Sequence, residues 1–381
     1  MAKAQVVIGG NFGDEGKGLM TDYLARKTPS LNVLFNGGAQ RGHTVQLSGG
    51  FRHVFHHIGA GMLTGASTLL SYQFISNPIA LRKELEHVKI TNIYADALGR
   101  VTTPYDMALN QLAEEARNKN RHGSCGMGIN ETIVRHKMRP LYISDLTYVG
   151  LKDLLLEIKE EWVPYRLREL KITDIPDQWN RVLKSETLLD NFILDCKAFS
   201  ETVKIVDSRD MLATTSLNVV FEAGQGLLLD EKSEYFPHVT HSRTGLDNIL
   251  ELTDRELEVF YMTRWYATRH GAGPFESELP EKPSPYIEDA TNIPNDYQGT
   301  LRFGNLDLEL LKKSIRKDMD RKGKRIQGNI VVTCLDQAKD TVSFVQGTVD
   351  SNDIIPYISY ETGMNVSHVS NGPTRKTMLE V

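Results

Sequence analysis

The most constraining feature of the chain is an apolar run, QVVI, followed directly by GGNFGDEGKG and then LMTDYLARK. This order predicts a buried strand, a glycine-rich loop and a helix, the arrangement with which parallel sheets bind phosphate. The loop matches neither common fingerprint, because Asn11 stands where a Walker A loop needs glycine, Gly18 follows Lys17, and G-x-G-x-x-G is missing. Asp14 and Glu15 also place two carboxylates where phosphates are expected. The loop therefore needs another explanation.

The order of the apolar runs indicates an α/β fold. Strands at 5–10 and 32–35 with a helix at 17–27 between them suit a βαβ unit in a parallel sheet. LNVVFEAGQG (217–226) again has the pattern of a strand and a glycine loop, and a basic turn at 321–329 leads into the strand NIVVTCLD. We predict a doubly wound fold: a large, mostly parallel central sheet flanked by helices, with helical and loop insertions.

Two segments differ in composition from the rest. Leu and Ile recur among charges at helical spacing over about 151–200, which predicts a solvated helical insertion. Residues 274–297 are rich in Pro, Glu, Ser and Asn, which is typical of a long surface excursion. We see no internal repeat, and predict one catalytic domain over 1–381.

Composition excludes several classes of function. With 44 Lys+Arg against 49 Asp+Glu, the formal charge is -5, and no broad basic field favours nucleic-acid binding. No signal peptide or membrane-spanning run is evident. The three cysteines are too widely spaced for a zinc site or a disulfide framework, so we expect a cytoplasmic protein.

Glycine-rich loops recur along the chain beside polar residues. His43 lies in NGGAQRGHTV, Ser124 in HGSCGMGIN and Gln225 in FEAGQG, and two further loops are RHGAGPF and SNGPTR. A histidine in such a loop favours a functional role over a structural one, and a carboxamide offers both a donor and an acceptor to a purine edge. Each loop alone is a weak signal. Together they indicate a ligand with several phosphates and rings.

The combination of GDEGKG, GGAQRGHT, FEAGQG, YFPHVT, HGAGPF and SNGPTR closely resembles adenylosuccinate synthetase, and the matching segments cover nearly the whole chain. The resemblance implies a ligase that joins a 6-oxopurine nucleotide to L-aspartate, with a nucleoside triphosphate and Mg²⁺. It also implies a homodimer in which an arginine of one subunit reaches the nucleotide site of the other.

The resemblance assigns a role to the acid in the first loop. Asp14 would remove the N1 proton of the purine, so that the 6-oxygen attacks the γ-phosphate, and the aspartate amine would then displace phosphate at C6. His43 would donate to the transferring phosphoryl group, Lys17 would stabilise its charge, and Gln225 would orient the base. Mg²⁺ would be held by Asp14 and the Gly42 carbonyl.

The resemblance also assigns the remaining contacts. Thr300 and Arg302 would bind the carboxylates of the substrate aspartate. Arg139 is the residue assigned to the partner's site, where it would hold the 5′-phosphate together with Ser124 and Thr240. The full set of predicted nucleotide and phosphate contacts is Gly13, Glu15, Gly16, Gly18, Gln40, Thr44, Ser124, Cys125, Arg139, Thr240, Asp336, Ser370, Asn371, Gly372 and Pro373.

The chain departs from the family pattern at specificity-determining segments. Met127 replaces an arginine, THSRTG replaces TSSNTT from Thr240 onward, and the arginine run of the aspartate loop is reduced to GTLRFG with Arg302. Lost arginines weaken selection of ribose over deoxyribose, because an unmade contact cannot discriminate. Cys334 also stands where a lysine normally stacks on guanine, with Asp336 retained, which makes ATP or dATP a plausible donor beside GTP.

These departures resemble a phage branch of the family that converts dGMP to 2-aminoadenylosuccinate. A phage-encoded member would lie in the host cytoplasm. Phage members often carry Ser in place of the catalytic Asp, so Asp14 makes this chain intermediate. We therefore favour dGMP over GMP or IMP; the alternative is an IMP-using, GTP-dependent adenylosuccinate synthetase. A nucleotide-dependent binding module is a third hypothesis, and keeping Asp14, Lys17 and His43 together argues against it.

Overall fold

The structure is a computed structural model that describes residues 3–27, 29–89, 92–289, 291–292, 299–321, 323 and 325–381. The strands are β1 (Ala4–Gly9), β2 (Ser30–Leu34), β3 (His43–Gln46), β4 (Arg52–Phe55), β5 (Ser67–Leu70), β6 (Ile75–Ser76), β7 (Ile93–Asp96), β8 (Arg100–Val101), β9 (Val203–Val206), β10 (Asn218–Gly226), β11 (Leu257–Arg264), β12 (Tyr266–Arg269), β13 (Arg302–Asn305), β14 (Ile326–Thr333), β15 (Thr341–Phe344), β16 (Gly347–Asp350), β17 (Val366–Ser370) and β18 (Met378–Glu380). The α-helices are α1 (Lys17–Ala25), α2 (Pro78–Leu85), α3 (Pro104–Arg117), α4 (Ile129–His136), α5 (Leu151–Glu157), α6 (Val163–Glu169), α7 (Asp177–Lys184), α8 (Glu186–Thr202), α9 (Ser208–Thr214), α10 (Asp247–Leu252), α11 (Leu308–Met319) and α12 (Ile354–Thr362).

Within these ranges, ten strands form one sheet in the order β18-β17-β14-β11-β1-β10-β2-β5-β7-β9. Neighbouring strands are parallel except for the edge pair β17 and β18. The predicted fold class, a large and mostly parallel sheet flanked by helices, is therefore confirmed. Because the strands are parallel, the loops that follow β1, β2, β10, β11, β14 and β17 emerge at one edge of the sheet, where open α/β folds bind ligands.

Apolar residues on both faces of the central strands explain the layered packing. On β1, Val7 belongs to the buried cluster that includes Leu19 and Met20 of α1. Val6 and Ile8 point to the opposite face, in the cluster that holds residues of α10 and α11. A strand covered on both faces reads as a continuous apolar run, which is why QVVI carried no alternation in the sequence.

The predicted helical insertion at 151–200 is occupied by helices α5 to α8. Leu155, Phe192 and Phe199 are buried in the cluster that also contains residues of β5 and β7, so one face of these helices packs on the sheet. This segment is amphipathic rather than solvated all round. That the whole chain is a single domain stays a prediction.

Several local predictions hold with shifted bounds. Strands β1 and β2 flank helix α1 as a parallel βαβ unit, but β10 lies between them in the sheet. The described part of the predicted excursion, 274–289 and 291–292, has no helix or strand, and the rest of it lies outside the described residues. Strand β14 begins inside the predicted basic turn. None of the helices in the described ranges is both long and apolar enough to cross a bilayer.

Candidate active site

A cleft of about 550 Å³ opens at the carboxyl edge of the sheet, between the loops that follow β1, β2 and β10. It collects predicted site residues that are far apart in the sequence. Those on its wall are Gly13, Asp14, Gly16, Lys17, Gly18, Gln40, Gly42, His43, Thr44, Ser124, Cys125, Gln225 and Thr240.

The first loop turns on left-handed backbone conformations. Gly13, Asp14 and Gly16 have φ angles of 105°, 64° and 87°. Aspartate is among the few non-glycine residues that tolerate this region, and successive N–H groups in such a turn form a concave anion-binding surface. The backbone of Asp14 is fixed from outside the loop by Arg264, whose Nε donates to the Asp14 carbonyl oxygen at 2.6 Å.

The second acid of the loop, Glu15, holds the loop itself. Its side chain is buried, and Oε1 accepts from the backbone N–H groups of Asn11 at 3.1 Å and Gly13 at 2.8 Å. Its Oε2 lies 3.1 Å from Lys17 Nζ. Glu15 does not line the cleft, so its carboxylate stabilises the turn and positions the lysine instead of facing a ligand. The predicted nucleotide contact by Glu15 stays untested.

Gly18, which breaks the Walker pattern, is required by packing. A Cβ at Gly18 would lie 2.8 Å from the Thr44 carbonyl oxygen and 3.1 Å from the His43 backbone carbon. Real Cβ atoms avoid such approaches, so only glycine lets α1 pack against β3 this closely. The close approach brings Lys17, at the amino end of α1, and His43, at the start of β3, to the same wall.

His43 is held by a buried acid that the sequence analysis did not single out. Its Nδ1 lies 2.6 Å from Oε1 of Glu222, and the same oxygen accepts from Nη2 of Arg41 at 2.9 Å. Burial and, to a smaller extent, neighbouring Arg41 lower the pKa of the His43 imidazole to about 4. Burial would raise the pKa of Glu222, but Arg41 and His43 outweigh it and hold that pKa below its usual value. The ring is therefore neutral and donates Nδ1–H to Glu222, while Nε2 is buried without a partner among the described residues.

Two carboxamides meet beside Gly37. A Cβ at that glycine would lie 2.7 Å from Gln225 Oε1 and 2.9 Å from Gln40 Nε2. Both amide atoms of Gln40 and the Nε2 of Gln225 are buried without a hydrogen-bond partner among the described residues. Buried polar groups are normally satisfied, so these atoms are available for the edge of a bound base.

The glycine loop at 121–128 faces the first loop across the cleft. Ser124 Oγ donates to Asn110 Oδ1 at 2.9 Å, and the N–H groups of Gly123 and Ser124 donate to the Glu114 carboxylate at 3.0 and 3.4 Å. Burial raises the pKa of the Cys125 thiol to about 11, so this thiol is a neutral group in the loop. These two N–H groups of the loop are therefore already hydrogen-bonded to the Glu114 carboxylate.

The donor chemistry of the cleft fits a magnesium ion. The Asp14 carboxylate is partly exposed, and both Asp14 and Gly42 line the cleft. No group of three or more His, Cys, Asp or Glu side chains suited to a metal occurs in the described ranges. Mg²⁺ is usually held by one or two carboxylates together with substrate phosphates, so Asp14 and the Gly42 carbonyl form a set of the expected kind.

The predicted aspartate-binding residues do not line the cleft. Arg302 places its guanidinium on the Glu278 carboxylate, with Nε 2.7 Å from Oε1, and Nη1 donates to the carbonyl oxygens of Gly271 and Gly273 at 3.2 and 2.9 Å. Thr300 is exposed. In this conformation Arg302 braces the loop at 271–273, and binding of aspartate by these two residues stays a prediction.

The other predicted contacts outside the cleft form two groups. Arg139 pairs with the Glu161 carboxylate at the surface, and its role in a partner's site stays a prediction. Strands β14 and β17 are paired in the sheet, and the second group lies at their carboxyl ends: Asp336 after β14, and Ser370, the last residue of β17, with Asn371, Gly372 and Pro373 after it. Thr333 Oγ1 at the end of β14 donates to the Glu15 carbonyl oxygen at 3.1 Å, which joins this region to the first loop.

Sequence reasoning missed Glu222, Arg41, Arg264 and His270. Glu222 had a usable signal, because it is a lone acid in the apolar run VVFEAG, and a charge in a buried strand needs a partner. Arg41 and Arg264 had none, since their partners are distant in the chain. His270 lies in the quoted motif RHGAGPF, but its contact with Asp14 joins loops that are remote in sequence.

Comparison with known proteins agrees with this geometry. The family model described as adenylosuccinate synthetase matches residues 6–346. The chain belongs to the adenylosuccinate synthetase family. It is 29% identical over 335 residues to adenylosuccinate synthetase of Clostridium botulinum (strain Alaska E43 / Type E3), covering 82% of this chain and 74% of the relative. It is 28% identical over 334 residues to the enzyme of Thermoplasma volcanium, covering 83% and 73%.

Two solved structures share the fold of this adenylosuccinate synthetase family member. Fully ligated adenylosuccinate synthetase from Plasmodium falciparum superposes with a TM-score of 0.81 at 18% identity, over 100% of both chains. Cyanophage S-2L succinoaminodeoxyadenylate synthetase (PurZ), bound to dGMP and dATP as an energy donor, superposes with a TM-score of 0.66 at 13% identity, over 100% of this chain and 95% of that one. The protein is a carbon–nitrogen ligase of the adenylosuccinate synthetase type, a family that binds a nucleoside monophosphate, aspartate and a purine triphosphate.

Proposed function

We propose that the protein joins L-aspartate to C6 of dGMP through a 6-phosphoryl intermediate, at the expense of a purine triphosphate. The products are 2-aminoadenylosuccinate in its deoxy form, a nucleoside diphosphate and phosphate. The observation that carries the choice of a deoxynucleotide is the state of Arg302. This arginine, which remains from the family's arginine run, is bound to Glu278 and lies off the cleft wall.

A site that makes no contact with the 2′-hydroxyl cannot select ribose. Discrimination for a hydroxyl arises when buried polar groups are left unpaired by the substrate that lacks it. The described residues at 299–304 place no side chain on the cleft wall, so a deoxyribose leaves nothing unpaired there. This supports acceptance of a deoxynucleotide.

The two carboxamides support a base with a 2-amino group. Asp14 accepts the N1 proton in this proposal, and an amide N–H from Gln225 or Gln40 donates to the 6-oxygen. The Gln40 Oε1, buried without a partner among the described residues, then needs a donor. The 2-amino group of guanine supplies one and hypoxanthine does not, and an unpaired buried acceptor costs about 1–3 kcal/mol.

The chemical step uses three side chains of the cleft. Asp14 takes the N1 proton as the 6-oxygen attacks the γ-phosphate, and Lys17 and His43 stabilise the transferring phosphoryl group. Phosphate charge beside His43 Nε2 favours protonation of that ring, while Glu222 keeps Nδ1–H oriented. A bound Mg²⁺ supplies neutralisation of phosphate charge, and Asp14 and the Gly42 carbonyl are the residues that would hold it.

The donor triphosphate is proposed to extend toward the loops after β14 and β17. Asp336 and the segment Ser370–Pro373 would contact its base, and burial raises the pKa of the Asp336 carboxyl. Cys334 offers no charge for stacking on guanine, which supports ATP or dATP as donor, with GTP as the alternative. We also propose a homodimer in which Arg139 reaches the partner's 5′-phosphate site.

We further propose that Thr300 and Arg302 bind substrate aspartate after a rearrangement of their loop. Arg302 would then engage a carboxylate of aspartate and still leave the 2′-hydroxyl of the nucleotide uncontacted.

The second candidate is an IMP-using, GTP-dependent adenylosuccinate synthetase. The retained Asp14 and the relatives at 28–29% identity that carry that name favour it. The two functions differ in base and sugar, which can be varied separately.

The test uses purified protein, Mg²⁺ and labelled L-aspartate with dGMP, GMP, IMP and dIMP, each with ATP, dATP or GTP. The product is identified by mass spectrometry and kcat/KM is measured for each pair. We expect dGMP to have the highest kcat/KM, with the loss for IMP dominated by the missing 2-amino group. A kcat/KM for IMP about tenfold above that for dGMP would select the second candidate. Absence of an aspartate adduct with all four nucleotides would reject both.

A further inference from the structure

His270 approaches Asp14, the proposed general base, from a different loop. It follows β12 directly and, like Asp14, lines the cleft. Its Nε2 lies 3.3 Å from Oδ2 of Asp14 and 2.8 Å from Oδ1 of Asn292. Within the described part of the chain, His270 is the one Lys, Arg or His side chain whose nitrogen lies within 4 Å of the Asp14 carboxylate. The contact joins a loop after β1 to one after β12.

The orientation of Asn292 fixes the tautomer of His270. Asn292 Nδ2 donates to Asp289 Oδ2 at 2.6 Å, and the N–H groups of Asn292 and Thr291 donate to Asp289 Oδ1 at 3.0 and 2.9 Å. The amide oxygen of Asn292 therefore faces the histidine. Since Nε2 is opposed by two oxygen acceptors, it is the nitrogen that bears the proton. Nδ1 is buried without a partner among the described residues.

The His270 N–H donates to Asn292 Oδ1, and it also lies near Oδ2 of the proposed general base Asp14, with Nε2 3.3 Å from that oxygen. The Asp14 backbone is held by Arg264, but that contact leaves the carboxylate free to rotate about its side-chain torsions. His270 N–H attracts Oδ2, and Asn292 keeps the imidazole from following the carboxylate into the cleft. Oδ1 of Asp14 is then the oxygen presented to a bound purine. A general base must lie within hydrogen-bond reach of the proton it removes, and a displacement of about 1 Å costs on the order of 10²-fold in rate.

We propose that His270 is a positioning residue for Asp14, held in place by Asn292 and Asp289, and that it sets which carboxylate oxygen meets the purine. This inference rests on the proposed function in one respect, the role of Asp14 as the base. His270 takes no proton from the substrate and contacts no reacting atom. Its effect is on the alignment of Asp14 in the phosphorylation step.

The test compares His270→Ala with His270→Gln, because the glutamine amide places an N–H donor near the position of Nε2. We expect His270→Ala to lower kcat about 10- to 100-fold with the KM and calorimetric Kd of the monophosphate within about threefold of wild type. His270→Gln recovers most of the loss. Wild-type kcat in His270→Ala, or an equal loss in both variants, overturns the proposal.

A second readout does not depend on turnover. Long-range proton–nitrogen spectra of the histidine rings at one fixed pH report which nitrogen carries the proton. We expect His270 as the Nε2–H tautomer, with a nitrogen shift that changes in Asp14→Asn. An Nδ1–H tautomer, or no change in Asp14→Asn, overturns the contact. If the wild-type enzyme forms no aspartate adduct but these spectra are as expected, the proposed function fails while the Asp14–His270 contact stands.

Discussion

Replacing Glu222 by Gln tests the buried group that holds His43. The carboxylate is 1% exposed and accepts from three donors: Arg41 Nη2 at 2.9 Å, His43 Nδ1 at 2.6 Å and the Ala60 N–H at 3.0 Å. Glutamine keeps the shape but has one oxygen, so its NH₂ must face a donor in either orientation. Arg41, also fully buried, loses its counter-ion.

The expected loss follows from that geometry. Removing one partner of a buried pair costs about 3–5 kcal/mol, because the other charge is left uncompensated. For 381 residues the unfolding entropy near the midpoint is about 0.8 kcal/mol/K, so Tm should fall by about 4–6 °C. Without the acceptor at Nδ1 the tautomer of His43 is no longer fixed, and kcat should fall by about 10²-fold.

The assay is unfolding followed by circular dichroism, with Tm compared for wild type, Glu222→Gln, Arg41→Met and the double variant. The double variant removes the unpaired charge, so its loss should be smaller than the sum of the single losses. A Tm within about 1 °C of wild type in Glu222→Gln, or strictly additive losses in the double variant, would refute the reasoning.

Three further predictions concern the base, the donor and acid stability. Asp14→Ala should lower turnover by about 10²–10⁴-fold with an unchanged circular dichroism spectrum, and near-normal turnover would remove Asp14 from the mechanism. Cys334→Lys should raise kcat/KM for GTP relative to ATP by about tenfold through stacking of the cation on the base, and unchanged donor ratios would contradict our interpretation of TCLD. Burial lowers the pKa of His57 to about 3, and its Nε2 accepts from the Asn77 N–H at 2.7 Å. As pH drops below about 6.5, the unfolded state binds a proton at His57 before the folded state does, so the free energy of unfolding falls. In urea titrations, wild type should lose about 2 kcal/mol of unfolding free energy between pH 7 and 5 relative to His57→Gln. Parallel pH profiles of the two proteins would contradict this prediction.

The sequence predicted the parts of the fold that local pattern controls. Continuous apolar runs marked the buried parallel strands, and the glycine loops that follow β1 and β10 marked the carboxyl edge where the cleft lies. The sequence could not predict that β10 lies between β1 and β2, because strand order depends on pairing between residues about two hundred positions apart. Helix α8 was predicted to lie in a solvated segment. Its apolar face is buried because it packs on the sheet, and that contact is not visible in the local sequence.

The residues of the candidate site also divide into those that local sequence patterns predicted and those that they did not. Residues inside glycine motifs, such as Asp14, Lys17 and His43, were predicted to share a cleft and do line it. The partners that orient them were not predicted, because Glu222 meets His43 across 179 positions of chain. Arg302 was assigned by motif alone, and its bond to Glu278 depends on the backbone bridge between Glu278 and Gly304 of β13.

Phosphate binding by the glycine loop at 121–128 would require the phosphate to replace the Glu114 carboxylate. This carboxylate, also paired with Arg117, is the anion that the N–H groups of Gly123 and Ser124 hold in the structure. A phosphate that takes those N–H groups displaces a charge of the same sign, so the affinity gained is a difference between two anions and not the full strength of the new bonds. If this loop holds the 5′-phosphate as we propose, weak anions such as chloride would gain little from the exchange, and the doubly charged phosphate of a nucleotide would be favoured over them.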